Sequence, residues 1–378
     1  MKKKVLYFMP DNPMSGNAGN TTRLNQLLSY FNTFENTDIT FVSLKDWGLW
    51  EDSEKDLFAQ KYPHIKLILL DKKYKKSFFK YFFLYKLPYF FKQNPVDMTS
   101  WILRKEFAEI ANKDQYDHII VSYATWGKVI DDVKIKTNFI VDTHDFITAQ
   151  NRKKIKKIGK IFQGEMDILR KFDEIWTYSV EEEYIFGQFT NKKVKYLPIP
   201  FPQKDLLPLK STYKYDVVYV ASNNPHNTTS IHWFLDHVLS FIKPDIQIHI
   251  IGKIGKEIKK EYPNVKIYGM VNDLNEFYDH ARITICPMLS GTGVKIKVLE
   301  SLSNNLPVVT NTRGVDGLSQ KNDNGCLVTE DAEKFAEYIN LLISNDEFYD
   351  KQRHKAHEFI KNDHNIEKEI SFFKNKFS

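Results

Sequence analysis

The amino-acid sequence predicts an α/β protein with two Rossmann-like domains, each built on a doubly wound parallel sheet. At 378 residues the chain exceeds the length at which a single hydrophobic core stops growing. Short apolar runs alternate with amphipathic stretches in both halves, as in parallel sheets covered by helices. Residues 196–212 carry four prolines and no periodicity. We therefore predict an N-terminal domain over 1–200, a C-terminal domain over 201–360, and a terminal helix, 361–378, that returns to the first domain.

In the first half, six apolar runs bounded by polar residues have the length of buried parallel strands. They span 4–8, 38–43, 65–70, 118–122, 138–141 and 174–179. Apolar residues at helical spacing predict helices over 21–31 and 101–111. An aromatic segment, 74–93, has helical spacing until Pro88, where a helix is expected to break.

The second half repeats the alternation more regularly. The predicted strands span 215–220, 246–251, 265–268, 283–286 and 307–310. The predicted helices span 227–240, 256–262, 273–281 and 294–304, and from 331 onward the chain is predicted to be helical, ending with 366–377.

Composition narrows the class of protein. Only two cysteines, Cys286 and Cys326, are present, which excludes a disulfide framework and fits a reducing compartment. No apolar run approaches the ~20 residues of a membrane span, and the run after Met1–Lys4 is too short for a signal peptide. We expect a soluble, cytoplasmic protein.

Positive charge is concentrated in the first half, although the net charge is only +6. Seven lysines lie among aromatic residues between Lys72 and Lys92, and a second basic run spans 152–160. The first segment either rests on an anionic membrane surface or packs its aromatic face on the first domain, and the break at Pro88 favours packing. Nucleic-acid binding is not expected, because no recognisable module accompanies the charge.

The strongest candidate site follows the fourth predicted strand of the second half, because ligands of open α/β sheets bind beyond the carboxyl ends of strands. Gly291 and Gly293 precede a helix whose first turn places Lys295 on the core-facing arc, near the partly positive helix end. A bound phosphate would compensate the positive charge of Lys295 and of the helix end. Glu300, one turn later, is placed to accept hydrogen bonds from a ribose. The alternative is a plain turn with a surface Lys297–Glu300 pair and a snorkelling Lys295.

Two weaker candidates follow strands of the first half. His144, in the stretch Asp142–Asp145, follows strand 138–141 and is placed to contact a sugar hydroxyl or the transferring group. Its alternative is a turn histidine satisfied by the neighbouring aspartates. Gly16 and Gly19 lie in the loop 10–20, which permits close approach of a diphosphate or is an ordinary loop before a capped helix.

Several classes of site are missing from the sequence. It contains no P-loop, no HExxH and no GxSxG motif, and the two cysteines lack the spaced partners of a zinc site. We therefore expect no metal and no cofactor.

In combination, these features resemble the retaining glycosyltransferases of the GT-B fold, family 4, in the branch that builds bacterial surface polysaccharides. The resemblance is strongest over 283–318 and extends to 222–239, 248–253, 265–274, 141–146 and the run from Glu165 through Asp173, Ser179 and Glu182.

The resemblance implies that Glu300 binds the donor ribose, that Lys295 and the loop Gly291, Thr292, Gly293 hold the diphosphate, and that His144 contacts the donor sugar, with Gly16 and Gly19 beside the phosphates. Many relatives have a glutamate where this chain has Thr292, and the usual Arg/Lys pair after strand 215–220 is replaced by 221–226. Neutralisation of the phosphate charge would then depend mainly on Lys295, with Lys297 or Arg23 contributing.

The implied activity is transfer of a hexose from a nucleoside diphosphate sugar to a hydroxyl of a glycan or lipid-linked acceptor, with retention. The enzyme would be a cytoplasmic hexosyltransferase of surface-polysaccharide synthesis, with possible peripheral contact with the inner membrane. Domain closure would exclude water from the reaction. Two alternatives remain open: a sugar-nucleotide epimerase of the same fold, and a non-catalytic partner subunit.

Overall fold

The computed structural model describes residues 2–15, 19–71 and 77–377. It divides into two units, each with its own sheet. The first unit comprises Met1–Tyr178, Glu182–Leu197 and Lys368–Ser378, and the second comprises Ser179–Glu181 and Pro198–Glu367.

The first unit contains a seven-stranded parallel sheet in the order β3-β2-β1-β4-β5-β6-β7. The strands are β1 (Lys3–Phe8), β2 (Thr37–Leu44), β3 (Ile65–Leu70), β4 (His118–Ser122), β5 (Asn138–Asp142), β6 (Glu174–Thr177) and β7 (Lys193–Tyr196). The helices up to the end of this sheet are α1 (Gly19–Asn32), α2 (Asp52–Lys61), α3 (Phe78–Tyr81), α4 (Leu87–Phe90), α5 (Trp101–Ala111), α6 (Ile147–Gln150), α7 (Ile158–Leu169) and α8 (Val180–Thr190).

The second unit contains a six-stranded parallel sheet in the order β10-β9-β8-β11-β12-β13. Its strands are β8 (Tyr215–Val220), β9 (Ile248–Ile251), β10 (Val265–Gly269), β11 (Ala281–Cys286), β12 (Val308–Thr310) and β13 (Cys326–Val328). The remaining helices are α9 (Pro225–Trp233), α10 (Asn275–His280), α11 (Ile296–Ser303), α12 (Ala332–Ser344), α13 (Asp346–Asp363) and α14 (Ile366–Phe377).

Both faces of the central strands of the second sheet are covered, which explains why β8, β9 and β11 are mainly apolar and buried. On β8, Val217 and Tyr219 belong to a core shared with Phe335 of α12, whereas Val218 belongs to a cluster with Phe277 of α10. Successive side chains of a strand point to opposite faces. The arrangement is therefore the predicted doubly wound sheet.

The last helix, α14, packs within the first unit. Phe373 and Phe377 are fully buried and make edge-on contacts with Phe31 and Trp176. Lys376 also pairs with Glu174 at 2.7 Å. Aromatic packing and a partly buried ion pair thus fix the end of the chain to the first sheet.

The aromatic segment does not break at Pro88. Helix α3 continues through a π-helical turn, Phe82–Lys86, into α4, and the Leu87 N–H reaches back to the Phe82 carbonyl. A widened turn directly before a proline relieves the clash that its ring makes with the preceding turn. The expectation that this segment packs its aromatic face on the domain is also wrong, because five of its six phenylalanines are exposed and only Phe82 is half-buried. Lys72–Lys76, at its start, lie outside the described residues.

None of the helices in the described ranges has the length and apolar character needed to cross a bilayer.

Candidate donor and transfer sites

The candidate donor site lies where the second sheet changes winding direction. From β8 the chain proceeds outward to β9 and β10, and it returns to β11 on the other side of β8. Ligands of such sheets bind in the crevice beyond the carboxyl ends of the two strands at this point. The loops there are 221–224, after β8, and 287–295, after β11. Gly291, Gly293 and Lys295 belong to the loop after β11.

Gly291 and Gly293 both adopt backbone conformations that other residues rarely adopt, with φ of 106° and 72°. A Cβ on Gly293 would meet no atom within 4 Å, and one on Gly291 would make only ordinary contacts. The loop therefore needs glycine for its backbone conformation and not because neighbouring atoms crowd it.

Lys295 is the residue directly before α11, whose first helical residue is Ile296 and not the predicted Val294. Its side chain folds back over the glycine loop, and Nζ donates to the carbonyls of Gly293 at 2.7 Å and Thr292 at 3.4 Å. The residue is only 8% exposed, and burial lowers the pKa of its ammonium group.

Lys297 lies closer to β8 than the sequence suggested. Its Nζ donates to Asn227 Oδ1 at 2.8 Å and lies 5.1 Å from the ring centre of Tyr219. Burial lowers the pKa of this ammonium group as well. The alternative of a surface Lys297–Glu300 pair is wrong, because the half-buried Lys297 side chain packs against Asn227 of α9 and Tyr219 of β8.

The two ammonium groups create a local excess of buried positive charge. Among the described residues, neither forms an ion pair with a carboxylate; Asp316 and Glu300 influence their pKa values only from longer range. Buried charges in proteins are normally paired. The switch-point crevice is therefore electrostatically suited to an anion.

Glu300 lies on the next turn of α11. Its Oε2 accepts a hydrogen bond from the Tyr278 hydroxyl at 3.2 Å, and burial raises the pKa of the carboxyl group. The carboxylate thus keeps acceptor capacity for a second hydroxyl group.

His226 joins the two switch-point loops. Its Nδ1 lies 2.7 Å from Ser290 Oγ, which belongs to the loop after β11. His226 is the second residue of α9, and the Asn224 side chain caps that helix. The sequence drew attention to 221–226 only as a departure from the family pattern, so this histidine was missed.

In the first unit, His144 lies two residues after the end of β5 and has a strained, left-handed backbone (φ 56°). Its Nε2 lies 3.2 Å from both Ser122 Oγ and Asp142 Oδ2. The imidazole also stacks on Tyr123, with ring centres 4.5 Å apart. These contacts hold the ring in one orientation.

Behind His144, a chain of buried polar groups continues into the first unit. The Tyr178 hydroxyl donates to Asp142 Oδ1 at 2.5 Å, and Arg23 Nε donates to the Tyr178 oxygen at 3.2 Å. Arg23 also pairs with Glu369 of α14 at 2.6 Å. Burial alone would raise the pKa of Asp142, but His144 and Arg23 hold it below its usual value. The charge of Arg23 is thus neutralised within this unit, and the expectation that it meets a phosphate is not supported.

A buried carboxylate fixes the segment after His144. Glu165 of α7 accepts hydrogen bonds from the backbone N–H groups of Ile147 and Thr148 at 2.9 and 2.8 Å, and from the Thr148 hydroxyl at 2.6 Å. It therefore positions the beginning of α6.

The first unit also contains a cavity of about 810 Å³ at the carboxyl ends of its first strands. Trp47 after β2, Trp126 after β4, and Trp101 of α5 form part of its wall, and the Asp97–Arg104 pair, at 2.6 Å, contributes charge. This volume is typical of small-molecule sites.

Comparison with known proteins gives a family match within the second unit. Residues 214–345 match the family model described as "Glycosyl transferases group 1". The matched residues include both switch-point loops and α11. The chain is also 26% identical over 307 residues, 71% of its length and 76% of the relative's, to the "Uncharacterized 44.6 kDa protein in cps region" of Klebsiella pneumoniae.

Solved structures show the fold of the chain. HepE of Anabaena in complex with UDP and glucose is similar over 99% of both chains, with a TM-score of 0.67 and 13% identity. Sucrose-phosphate synthase of Thermosynechococcus elongatus is similar over 100% of this chain and 98% of its own, with a TM-score of 0.68 and 13% identity. The lipopolysaccharide outer core galactosyltransferase WaaB is similar over 98% of this chain and 99% of its own, with a TM-score of 0.60 and 13% identity. The GT-B fold predicted from the sequence is thereby confirmed.

The predicted site residues of the glycosyltransferase fall into separate groups. Gly291, Thr292, Gly293, Lys295 and Lys297 lie together at the switch point of the group 1 domain, and Glu300 follows one turn later. His144 belongs to the first unit. Gly16 lies outside the described residues, and Gly19 is the first residue of α1.

Proposed function

We propose that this glycosyltransferase moves a hexose from a nucleoside diphosphate sugar to a hydroxyl of a glycan or lipid-linked acceptor, with retention at the anomeric carbon. The observation that carries the proposal is the pair of ammonium groups at the switch point of the second sheet, of which Lys295 is buried and Lys297 half-buried, without a carboxylate partner among the described residues. A diphosphate supplies the charge that these groups lack, and the glycine loop gives its oxygens access to the backbone.

The comparisons support UDP as the nucleotide and a surface polysaccharide as the product. The HepE structures contain UDP, UDP with glucose, or UDP-glucose. One relative comes from a cps region, and one similar structure is a lipopolysaccharide galactosyltransferase. We place the reaction in the cytoplasm.

In the proposed reaction, the bond between the anomeric carbon and the diphosphate oxygen breaks as a bond to the acceptor oxygen forms on the same face of the sugar. The acceptor's hydroxyl proton passes to the departing phosphate. Lys295 and Lys297 stabilise the charge that develops on that phosphate, which is the largest electrostatic demand of the step. The proposal assigns this role to the two lysines and invokes neither a metal nor a cofactor.

The remaining roles follow from the placement of the side chains. Glu300 accepts hydrogen bonds from the ribose, because its carboxylate is engaged only by Tyr278 among the described residues. His144 contacts the donor sugar from the first unit, with its ring orientation fixed by Asp142, Ser122 and Tyr123.

The first unit takes the acceptor in its tryptophan-walled cavity. Indole faces stack on sugar rings, and the charged pair beside them provides hydrogen-bonding groups. Trp101→Ala is expected to raise the KM for the acceptor with little change in UDP affinity, since Trp101 is half exposed and its loss disturbs little packing. Phe241→Ala, a similarly exposed ring in the second unit, serves as the control.

The decisive experiment has two stages. Calorimetry with UDP, GDP and ADP first tests whether the chain binds a nucleoside diphosphate. UDP-hexoses are then incubated with and without short glycan acceptors, and NMR follows the anomeric configuration of the product. A retained configuration supports the proposal, and an inverted one refutes retention. Binding of no nucleotide would identify a non-catalytic subunit, and conversion of the donor to its epimer without acceptor would identify an epimerase.

A further inference from the structure

Five phenylalanines form an exposed aromatic surface on the helical segment Phe78–Phe91. Their exposed fractions lie between 57% and 77%. They are Phe78, Phe79, Phe83, Phe90 and Phe91. Single exposed apolar side chains are common, but a contiguous group of large rings marks an interaction surface.

The rings of this aromatic surface do not support the fold. Phe78 contacts the rings of Phe79 and Phe82, and Phe83 contacts that of Phe82, so these ring contacts stay within the segment. In the described part of the chain, no residue of Phe78–Phe91 belongs to the hydrophobic core of the first unit. The exposed rings therefore remain available to a partner.

The charge around the aromatic surface indicates an anionic partner. The sequence has seven lysines and no acidic residue between Lys72 and Lys92. Among the described residues of this stretch, Lys80 and Lys86 are exposed beside the phenylalanines. A bilayer with anionic lipids offers both phosphate groups at its surface and an apolar region just below them, and basic, aromatic helices bind at this boundary.

We propose that the segment Phe78–Phe91 docks on a bilayer that contains anionic lipids. The rings of Phe78, Phe79 and Phe83 enter the boundary between headgroups and acyl chains, and Lys80 and Lys86 face lipid phosphates. Phe90 and Phe91, at the other end of the segment, also line the tryptophan-walled cavity, together with Tyr81, Tyr85 and Lys86. Docking would bring that cavity to a membrane in which a lipid-linked acceptor is anchored, and this last point rests on the proposed function.

Vesicle flotation with the full-length protein tests the docking without any sugar donor. Vesicles of phosphatidylglycerol and phosphatidylcholine in equal amounts are compared with vesicles of phosphatidylcholine alone. We expect binding to the anionic vesicles, weakened by high salt because surface charge is screened. F78S/F79S/F83S should bind at least ~10-fold more weakly, because the rings supply the apolar contact. K80Q/K86Q should also bind about 10-fold more weakly.

Matched controls separate docking from general effects. F189S/F241S removes two exposed rings elsewhere, and K134Q/K136Q removes two exposed lysines of the first unit. Both should bind vesicles like the wild type, and all variants should keep the wild-type melting temperature. Equal vesicle binding by F78S/F79S/F83S and the wild type would overturn the proposal, as would absence of binding to anionic vesicles.

Two further measurements give the remaining outcomes. Sedimentation analysis without vesicles would overturn the proposal if the wild type dimerised through these rings and F78S/F79S/F83S stayed monomeric. Transfer to a soluble acceptor is measured separately. A protein that docks but transfers nothing would refute the proposed function alone, and one that transfers but does not dock would refute only the membrane surface.

Discussion

Replacing Lys295 by methionine should raise the free energy of unfolding and weaken UDP binding at the same time. Methionine keeps an unbranched apolar stem of similar length and removes only the ammonium group. Without ligand, that group donates to two backbone carbonyls and forms no ion pair with a described carboxylate. With a diphosphate present, the same group would gain its counter-charge.

The two effects have different magnitudes. A neutral hydrogen bond contributes ~0.5–1.5 kcal/mol. Burial lowers the pKa of the Lys295 ammonium group, because the loss of hydration outweighs the attraction of Asp316. Replacing a poorly compensated buried charge by an apolar side chain should therefore stabilise the ligand-free protein by about 1 kcal/mol. Loss of a charge-assisted hydrogen bond costs ~1.5–3 kcal/mol, which corresponds to a 10- to 100-fold rise in the Kd for UDP.

Urea unfolding without nucleotide and calorimetry with UDP measure the two effects. Lys334→Met is the matched control, since Lys334 is an exposed lysine of the same unit that pairs with Glu337. It should change neither quantity by more than a few tenths of a kcal/mol. If Lys295→Met lowers stability and leaves UDP affinity unchanged, Lys295 is a packing residue of a plain turn and the assignment of the donor site fails.

The stabilisation by Lys295→Met should also depend on pH. Because the pKa of Lys295 in the folded protein lies below the ordinary 10.5, the unfolded chain binds more protons between the two values. The stability of the wild type therefore rises with pH over that window, and the variant lacks this contribution. The advantage of Lys295→Met should be complete below the folded pKa and disappear as pH approaches 10.5, which urea unfolding at a series of pH values checks.

Three other substitutions test the remaining assignments. Glu300→Gln should raise the Kd for UDP about 10-fold in calorimetry, because a neutral amide is a weaker acceptor for ribose hydroxyls, and an unchanged Kd would remove Glu300 from the ribose site. His144→Asn, chosen because asparagine tolerates a positive φ, should lower kcat in a transfer assay far more than UDP affinity, and wild-type rates would make His144 a structural turn residue. Glu369→Gln should destabilise the protein by about 3–5 kcal/mol in urea unfolding, because it leaves buried Arg23 uncompensated, whereas exposed Glu367→Gln should not.

The central strands were predictable from sequence because they are covered on both faces. Runs such as 118–122 and 215–220 are apolar for that reason and correspond to β4 and β8. The strands that the pattern missed, β7 and β13, lie at the edges of the two sheets. Lys193–Tyr196 alternates between exposed and half-buried residues, and Cys326–Val328 has only three residues. Neither has an apolar run for the sequence to display.

The sequence-based predictions of exposure were wrong where tertiary contacts decide what a helix face meets. Helical periodicity allowed a surface Lys297–Glu300 pair, because a single helix pattern carries no information that α9 and β8 meet the Lys297 side of α11. The opposite error occurred at Phe78–Phe91, where aromatic residues at helical spacing indicated a buried face and are exposed instead. Periodicity reports which residues share a face but does not identify what the face meets.

Some site residues have no local signal at all. The placement of His144 followed from its position after a strand, and the neighbouring Asp142 carboxylate is two residues away in sequence. Tyr178 and Glu369, in contrast, are joined to this network across 36 and 346 positions, counting from Asp142 and from Arg23. Such pairs depend on the three-dimensional path of the chain and not on spacing.

The two candidate sites differ in how buried charge is compensated. Around His144, Arg23 is paired with Glu369, and Asp142 is paired with His144 and Tyr178. Such a network is complete without a ligand and serves to hold the His144 ring. In the second unit, Lys295 and Lys297 have only neutral oxygens as partners among the described residues. These contacts support the proposal that the diphosphate binds in the second unit and that His144 acts on an uncharged part of the donor.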